Sequence, residues 1–254
     1  MLTNTKQNSK NIIELSEVGY SFVNEKGTVN HALANVSLNI PRGSFVSLVG
    51  PSGCGKSTLL RIMAGLVKSS QGQSHGTVTR HFEKPAMVFQ NFALFPWLTV
   101  LENIEFGLKM SGVPARNRRA VAHEKIHEVG LAGNEHKFPR ELSGGQRQRV
   151  SIARALAVSP DVLFMDEPFS SLDPFTADIL KRDLLAIWEK YRMTVVMVSH
   201  IIEDAITLSD EIIVMSSHPG TIVARHRVAT PRPRNTRDTE FFKLFDEIEH
   251  AIKL

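Results

Sequence analysis

Phe45-Val-Ser-Leu-Val49-Gly50-Pro51-Ser52-Gly53-Cys54-Gly55-Lys56-Ser57 runs from five strand-type residues through a glycine-rich turn to a lysine and a serine. The spacing is G-x-x-x-x-G-K-[ST], a phosphate cradle when a strand precedes it and a helix follows. Glycines let successive backbone N–H groups turn inward around a β-phosphate, with no Cβ atoms in the way. Lys56 then neutralises the β/γ oxygens, Ser57 offers a hydroxyl to Mg2+, and a helix starting near Lys56 points its positive end at the same phosphates. The alternative is an ordinary glycine turn before a helix, and the strand-loop-helix context weighs against it. Cys54 reads as a small loop filler.

Outward from this stretch, short apolar runs alternate with longer helical patterns, as in an α/β sheet with crossover helices. Strands are expected at Ile12–Val18, Phe45–Val49, Ala86–Phe89, Val162–Met165, Thr194–Val198 and Glu211–Met215, and helices at Lys56–Ala64, Pro174–Lys190 and Glu203–Leu208. Leu33–Ile40, ending in Pro41-Arg42-Gly43, reads as an early antiparallel strand and turn. From Val100 to about Ala157 helical periodicity dominates, marked by Leu101, Ile104, Leu108, Ile126, Val129 and Leu131, and is read as an insertion into the α/β core. Thr230-Pro-Arg-Pro-Arg234 is expected to be a stiff extended linker. Phe241, Phe245, Ile248 and Ile252 then recur at helical spacing, an amphipathic stripe expected to pack on the domain.

Val162-Leu-Phe-Met165 ends in Asp166-Glu167-Pro168. Neighbouring strand residues face opposite ways, so the two carboxylates are expected to divide their work. Asp166 takes the Mg2+ shell and Glu167 becomes the general base toward an attacking water. Gln90 and His200 end two further strands, at the sheet edge where open α/β sheets bind ligands.

Bulk properties decide less. A net charge of +4, from 30 Lys and Arg against 26 Asp and Glu, fits any anionic partner or a solvated surface. The single cysteine, Cys54, rules out an internal disulfide and suits a reducing compartment. MLTNTKQNSKN lacks the apolar core of a secretory signal, and stretches such as Met193–Val198 fall far below the roughly 18 residues of a membrane span. The expectation is a soluble chain that reaches a membrane only through a partner.

Leu142-Ser143-Gly144-Gly145-Gln146-Arg147-Gln148-Arg149 resembles the signature motif of ABC ATPases. Gln90 matches that family's Q-loop glutamine, Ser171-Leu172-Asp173 its D-loop, and His200 its switch histidine, in family order over roughly residues 12–230. The resemblance implies a P-loop NTPase (RecA-like) core with an N-terminal antiparallel β region and an inserted all-α subdomain. In these terms residues 1–254 form one ABC ATPase domain, with a catalytic core at 12–90 and 158–230, a helical subdomain at 91–157 and a linker and helix at 231–254. It implies ATP contacts from Gly50, Pro51, Ser52, Gly53, Cys54, Gly55, Lys56, Ser57 and Thr58. Phe22 would stack on adenine, with Tyr20 the alternative. Ser143, Gly144, Gly145 and Asp173 would serve ATP bound to the opposite protomer. Glu167, His200, Gln90 and Lys56 would act in hydrolysis, and Ser57, Gln90 and Asp166 would hold Mg2+.

The partners so implied are a second copy in a head-to-tail dimer, an integral membrane permease and an extracytoplasmic solute-binding protein, with no nucleic acid. The place implied is the cytoplasmic face of the inner membrane. Leu94-Phe-Pro-Trp-Leu-Thr-Val-Leu-Glu-Asn103, Ala155–Pro160 and the Pro219–Ala224 and Pro231–Arg234 stretches resemble the nitrate/sulfonate/taurine importer group. Phe95, Pro96 and Trp97 are candidate permease contacts, with core packing as the other reading. Lys68–Arg80 departs from the family by lacking the usual Asp-Gly hairpin turn. An ATPase acting on nucleic acid, a non-cycling regulatory module and an exporter subunit are the competing functions. The first lacks a long coiled coil or large basic arm.

Overall fold

The computed structural model describes residues 10–23, 28–67, 73–217 and 219–253. They form two compact units, residues 1–83 with 194–254, and residues 84–193.

In the first unit, β1 (Asn11–Val23) and β2 (Val29–Pro41) lead to β3 (Phe45–Val49), α1 (Lys56–Met63) and β4 (Gln73–Arg80). β1 pairs antiparallel with β2 on one side and β4 on the other, giving the order β2-β1-β4. The expected N-terminal antiparallel region is therefore three-stranded. Of the Lys68–Arg80 departure, 68–72 lie outside the described residues, and the rest is β4. The second unit follows, with β5 (Pro85–Val88), α2 (Val100–Met110), α3 (Ala115–Glu128), a 3-10 turn at Pro139–Glu141, α4 (Gly144–Ala157), β6 (Val162–Asp166) and α5 (Pro174–Tyr191). The chain then returns to the first unit through β7 (Thr194–Val198), α6 (Ile202–Leu208), β8 (Glu211–Met215), β9 (Ile222–Arg227) and α7 (Thr239–Lys253).

β3 lies between β7 and β8, parallel to both, and β9 adds antiparallel to β8. Every residue of β3 and of β7 is buried, as a parallel strand covered on both faces requires, and both are apolar but for Ser47 and Thr194, whose hydroxyls are hydrogen-bonded. β9 alternates half-buried and exposed residues, the pattern of an edge strand with one solvated face. In the second unit β5 and β6 pair parallel, and β6 is also wholly buried.

Three of the second unit's helices, α2, α4 and α5, start where a side chain accepts from an orphan N–H group, while α3 follows Pro114 without a side-chain cap. Thr99 and Glu102 form a capping box on α2, Ser143 and Gln146 one on α4, and Asp173 caps α5 with Pro174 in its first turn.

At the end of the first unit, Phe241 and Ile248 of α7 are buried against Val49, Ala205, Ile206, Ile212, Val214 and Val228. Phe245 and Ile252 pack on the same cluster, so the apolar stripe meets the domain as expected. The preceding segment differs from the expected linker because it is anchored. Arg232 donates from Nε to Leu208 O at 3.1 Å and pairs through Nη1 with Asp210 at 2.8 Å. Arg234 donates to Ser209 O at 2.7 Å and also to Ile206 O. These are carbonyls at the negative end of α6, where a cation is favoured. Burial pushes the Arg234 guanidinium down to about 10. Among the described residues no helix is long and apolar enough to cross a membrane.

Candidate nucleotide site

In the first unit the glycine loop joins β3 to α1. Gly50 admits no side chain, since a Cβ there would lie 2.4 Å from Met215 O. Gly55 has φ 93° and serves as the N-cap of α1 without a side-chain hydrogen bond, and α1 has no acid in its first turn. A Cβ on Gly55 would also sit 2.8 Å from Ala32 O. This helix start is therefore glycine-built, with neither a capping side chain nor a negative charge of its own to compete with an anion. Lys56 is 6 % exposed, its Nζ donating to Gly50 O and Pro51 O at 2.8 Å each. The loop thus holds its own cation over the turn. Ser57 stands half-buried on the next position of the helix, followed by Thr58.

Cys54 is 1 % exposed and fills the loop's interior, 3.7 Å from Lys56 Nζ, which matches the filler reading. Behind the loop, Gly220 approaches so closely that a Cβ would fall 2.0 Å from Cys54 O. Gly220 also exchanges backbone bonds with Ala32 and Ala34. The sequence reading used Pro219-Gly220 only as a family mark, whereas in the fold it braces the cradle from behind.

Phe22 and Tyr20 sit on β1 with ring centroids 4.8 Å apart, edge to face. Phe22 is 43 % exposed and Tyr20 1 %, so Phe22 alone presents a ring to solvent. His200, exposed, follows β7 by two residues, after Ser199 Oγ has closed a turn onto Ile201.

In the second unit β6 delivers the acidic pair. Asp166 is its last residue and 4 % exposed. Glu167 lies beyond the strand with φ 47°, a left-handed conformation that side chains other than glycine rarely take. Because β6 ends at Asp166, strand alternation does not relate the two side chains as expected, and Glu167 is set instead by its own left-handed turn. Gln90 Nε2 donates to Glu167 Oε2 at 3.0 Å and to Ser170 Oγ at 3.4 Å, while Ser170 Oγ donates to Glu167 O at 3.1 Å. Ser170 is a neighbour that spacing alone gave no reason to choose. Among the described residues no three His, Cys, Asp or Glu side chains gather as a metal cage. Ser57 and Asp166 carry oxygen donors, the ligand type Mg2+ takes beside phosphate.

The signature segment begins α4. Ser143 Oγ accepts from Gln146 N at 3.3 Å, and Gln146 Oε1 accepts from Ser143 N at 2.9 Å. Gly145 is buried against α5, where a Cβ would meet Thr176 Cγ2 at 2.5 Å, and Gly144 faces Leu172. Asp173 Oδ1 accepts from Thr176 N at 2.9 Å, and hydrogen bonding to Thr176 lowers that carboxyl's pKa. Thr176, absent from the expected set, touches both motifs. Phe95 packs on Phe106 at 4.4 Å and on Trp97 at 5.6 Å between centroids. Trp97 is 70 % exposed, at the lip of a recess of about 650 Å3 that Phe106, Arg119, His123 and His136 also line.

A family model described as "ABC transporter" matches residues 33–170. The nitrate import ATP-binding protein NrtD of Synechocystis is 41 % identical over 253 residues, covering 95 % of each chain. The aliphatic sulfonates import ATP-binding protein SsuB of Bacillus cereus is 42 % identical over 245 residues, 94 % of each. The taurine import ATP-binding protein TauB of Rhizobium johnstonii is 43 % identical over 221 residues, 84 % of this chain and 83 % of TauB. Among solved structures, the dimeric ATP-binding cassette MJ0796 in a post-hydrolysis state bound to ADP and Pi superposes with a TM-score of 0.75. That structure is 33 % identical and covers 86 % of this chain and 100 % of its own.

Proposed function

The chain belongs to the ABC transporter family and is an ATPase of that class, and from this premise we propose that it powers uptake of a small anionic solute through a separate membrane permease. The importer relatives, which handle nitrate, sulfonates and taurine, support the solute class. A solute-binding protein outside the membrane completes the assembly, and this chain sits peripherally on the cytoplasmic face.

The observation that carries hydrolysis is the Glu167 carboxylate, set by a left-handed turn just past Asp166 and held at 3.0 Å by the Gln90 amide. A base must reach the attacking water in a fixed direction, and a carboxylate tied on one oxygen has lost much of its freedom to swing. Backbone N–H groups from Ser52 to Gly55 and the Lys56 ammonium bind the β- and γ-phosphate oxygens, Pro51 having no N–H to give. Phe22 stacks on adenine. Glu167 takes a proton from water as the water oxygen attacks the γ-phosphorus and the bond to the β-phosphate oxygen breaks. Gln90 orients that carboxylate and His200 steadies the γ-phosphate. Ser57, Asp166 and Gln90 would hold Mg2+, which supplies neutralisation of the phosphate charge. Ser143 and the Gly144 and Gly145 N–H groups, at the positive end of α4, contact the γ-phosphate bound by the partner protomer, with Asp173 nearby. Sandwiched nucleotide closes the dimer, and loss of the γ-phosphate releases it.

Glu167→Gln tests this directly. It is expected to bind Mg-ATP and to lose nearly all steady-state hydrolysis, whereas Lys56→Ala is expected to lose binding as well. Undiminished turnover in Glu167→Gln overturns the base assignment, and tight Mg-ATP binding by Lys56→Ala overturns the cradle.

A further inference from the structure

Downstream of Gln90 the chain makes a turn that its own residues do not favour. Phe92 has φ 58° and Ala93 φ 47°, two successive left-handed residues neither of which is glycine. Such a conformation persists only where its surroundings over-determine it. The surroundings are arginines of α4. Arg154 donates from Nη1 to Ala93 O at 2.7 Å and from Nη2 to Phe92 O at 3.0 Å, and its guanidinium lies 5.9 Å from the Phe95 ring centroid. Arg147, two helical turns earlier on the same face, sets its guanidinium 5.6 Å from the Phe92 ring. The planar fork of an arginine matches two adjacent carbonyls in a way that a lysine cannot.

The far end of the segment is held from α2. Asn103 is fully buried, accepts from Phe95 N at 2.9 Å, and donates to Phe95 O, Leu98 O and Thr99 O at 3.2, 3.0 and 2.9 Å. One short segment thus has Gln90 and its bond to Glu167 at one end and exposed Trp97 at the other. Its middle is bolted to the helix whose first turn is the signature.

We propose that Arg154 is a positioning residue that locks the turn at Phe92 and Ala93 onto α4, so that a partner pressing on the Trp97 face moves Gln90 and the signature helix together. This rests on the importer reading, since it takes the partner to be a permease. Nothing in it requires Arg154 to touch nucleotide. Its removal therefore cuts the link between docking and hydrolysis while leaving the nucleotide contacts in place.

The test compares Arg154→Lys and Arg154→Ala with wild type, each as the isolated chain and as the membrane complex that copurifies with it. The quantity read is the ratio of complex to isolated ATPase kcat, with KM for ATP alongside. For Arg154→Lys, which keeps charge and stem but lacks the fork, the ratio is expected to fall about tenfold with KM within about twofold. Amide exchange at residues 91–98 is expected to quicken in the isolated variant. If Arg154 only stabilised the fold, both activities would fall together and the ratio would hold. An unchanged ratio in Arg154→Lys, or unchanged exchange at 91–98, overturns the proposal, and the lysine variant decides the matter even where Arg154→Ala fails to fold. A wild-type chain that copurifies with no membrane complex instead overturns the importer reading and takes this inference with it.

Discussion

Gly145 answers two demands at once. Its N–H belongs to the α4 terminus, and its missing side chain leaves room for the Thr176 methyl. Gly145→Ala would force that methyl or the first turn of α5 to move, and is expected to cost about 1–3 kcal/mol in denaturant unfolding. Adding Thr176→Ser removes the clashing methyl and should recover part of that stability. A Gly145→Ala protein as stable as wild type would contradict the contact. The aromatic pair on β1 separates in the same manner. Phe22→Ala is expected to weaken ATP binding by about 1–3 kcal/mol, the worth of a base stacked on an aromatic ring, as read by calorimetry. The Tyr20 hydroxyl is buried with no hydrogen-bond partner among the described residues, so Tyr20→Phe should leave binding unchanged and stability no lower. Stronger loss of ATP affinity in Tyr20→Phe than in Phe22→Ala would reverse the assignment. At this scale the motif residues stand out in the sequence, because phosphate chemistry leaves little choice at Gly50, Lys56 or Asp166, and the fold sets the first two between β3 and α1 and the third at the end of β6. Thr176, Ser170 and Gly220 were not legible. Gly220 lies over 160 residues from the loop it braces, and nothing local marks such a neighbour.

Among the elements, α3 and α5 are tied by charged side chains. Lys125 Nζ bonds Tyr191 Oη at 2.6 Å and both Glu124 and Glu128 at 3.0 Å, and Glu128 also takes Lys190 Nζ at 2.6 Å. Burial pushes the Lys125 ammonium down, but the bonds from Tyr191, Glu128 and Glu124 outweigh it and hold its pKa above the usual range. For Glu128, burial pushes up and is outweighed by Lys190, Lys125 and Tyr191, leaving its pKa below the ordinary 4.5. A lowered carboxylate gives stability that is fully present above its unfolded value and lost as pH falls through its folded one. A raised ammonium gives stability that is present below 10.5 and lost only at higher pH. The tie is therefore complete at neutral pH and fails on the acid side. Glu128→Gln is expected to cost about 2–4 kcal/mol at neutral pH and to flatten the decline in stability below about pH 5. A variant that follows the wild-type acid limb unchanged would refute the tie. Lys125 was unreadable because a charged side chain in a polar helix looks solvated. β4 was unreadable for a related reason, since Gln73–Arg80 holds few apolar residues and becomes a strand by pairing with β1. β3, β7 and β8 match their expected limits because each is a short, almost wholly apolar run, as parallel strands covered on both faces tend to be.

At the scale of the whole molecule, the α/β class and the inserted helices follow from periodicity, and the family from motif order. The working unit is what a single chain cannot display, because the lysine cradle and the signature serine are assigned to different protomers. That assignment yields a test by mixing. Lys56→Ala leaves the serine helix tip intact and disables the cradle. Ser143→Asp leaves the cradle intact and preserves the α4 cap, since aspartate caps a helix as well as serine does. It also places a carboxylate where the partner's γ-phosphate must come. Each variant alone is expected to be inactive, with every site in its homodimer lacking one half. In a two-fold head-to-tail pair, a mixed dimer joins the good cradle of one chain to the good helix tip of the other at one of its two sites. Equal mixing makes half the dimers mixed, so about a quarter of wild-type ATPase should return if the sites turn over independently. No recovery, from proteins that separately retain their fold and with Ser143→Asp still binding ATP, would overturn a dimer in which two independent sites each join one chain's cradle to the other's helix tip.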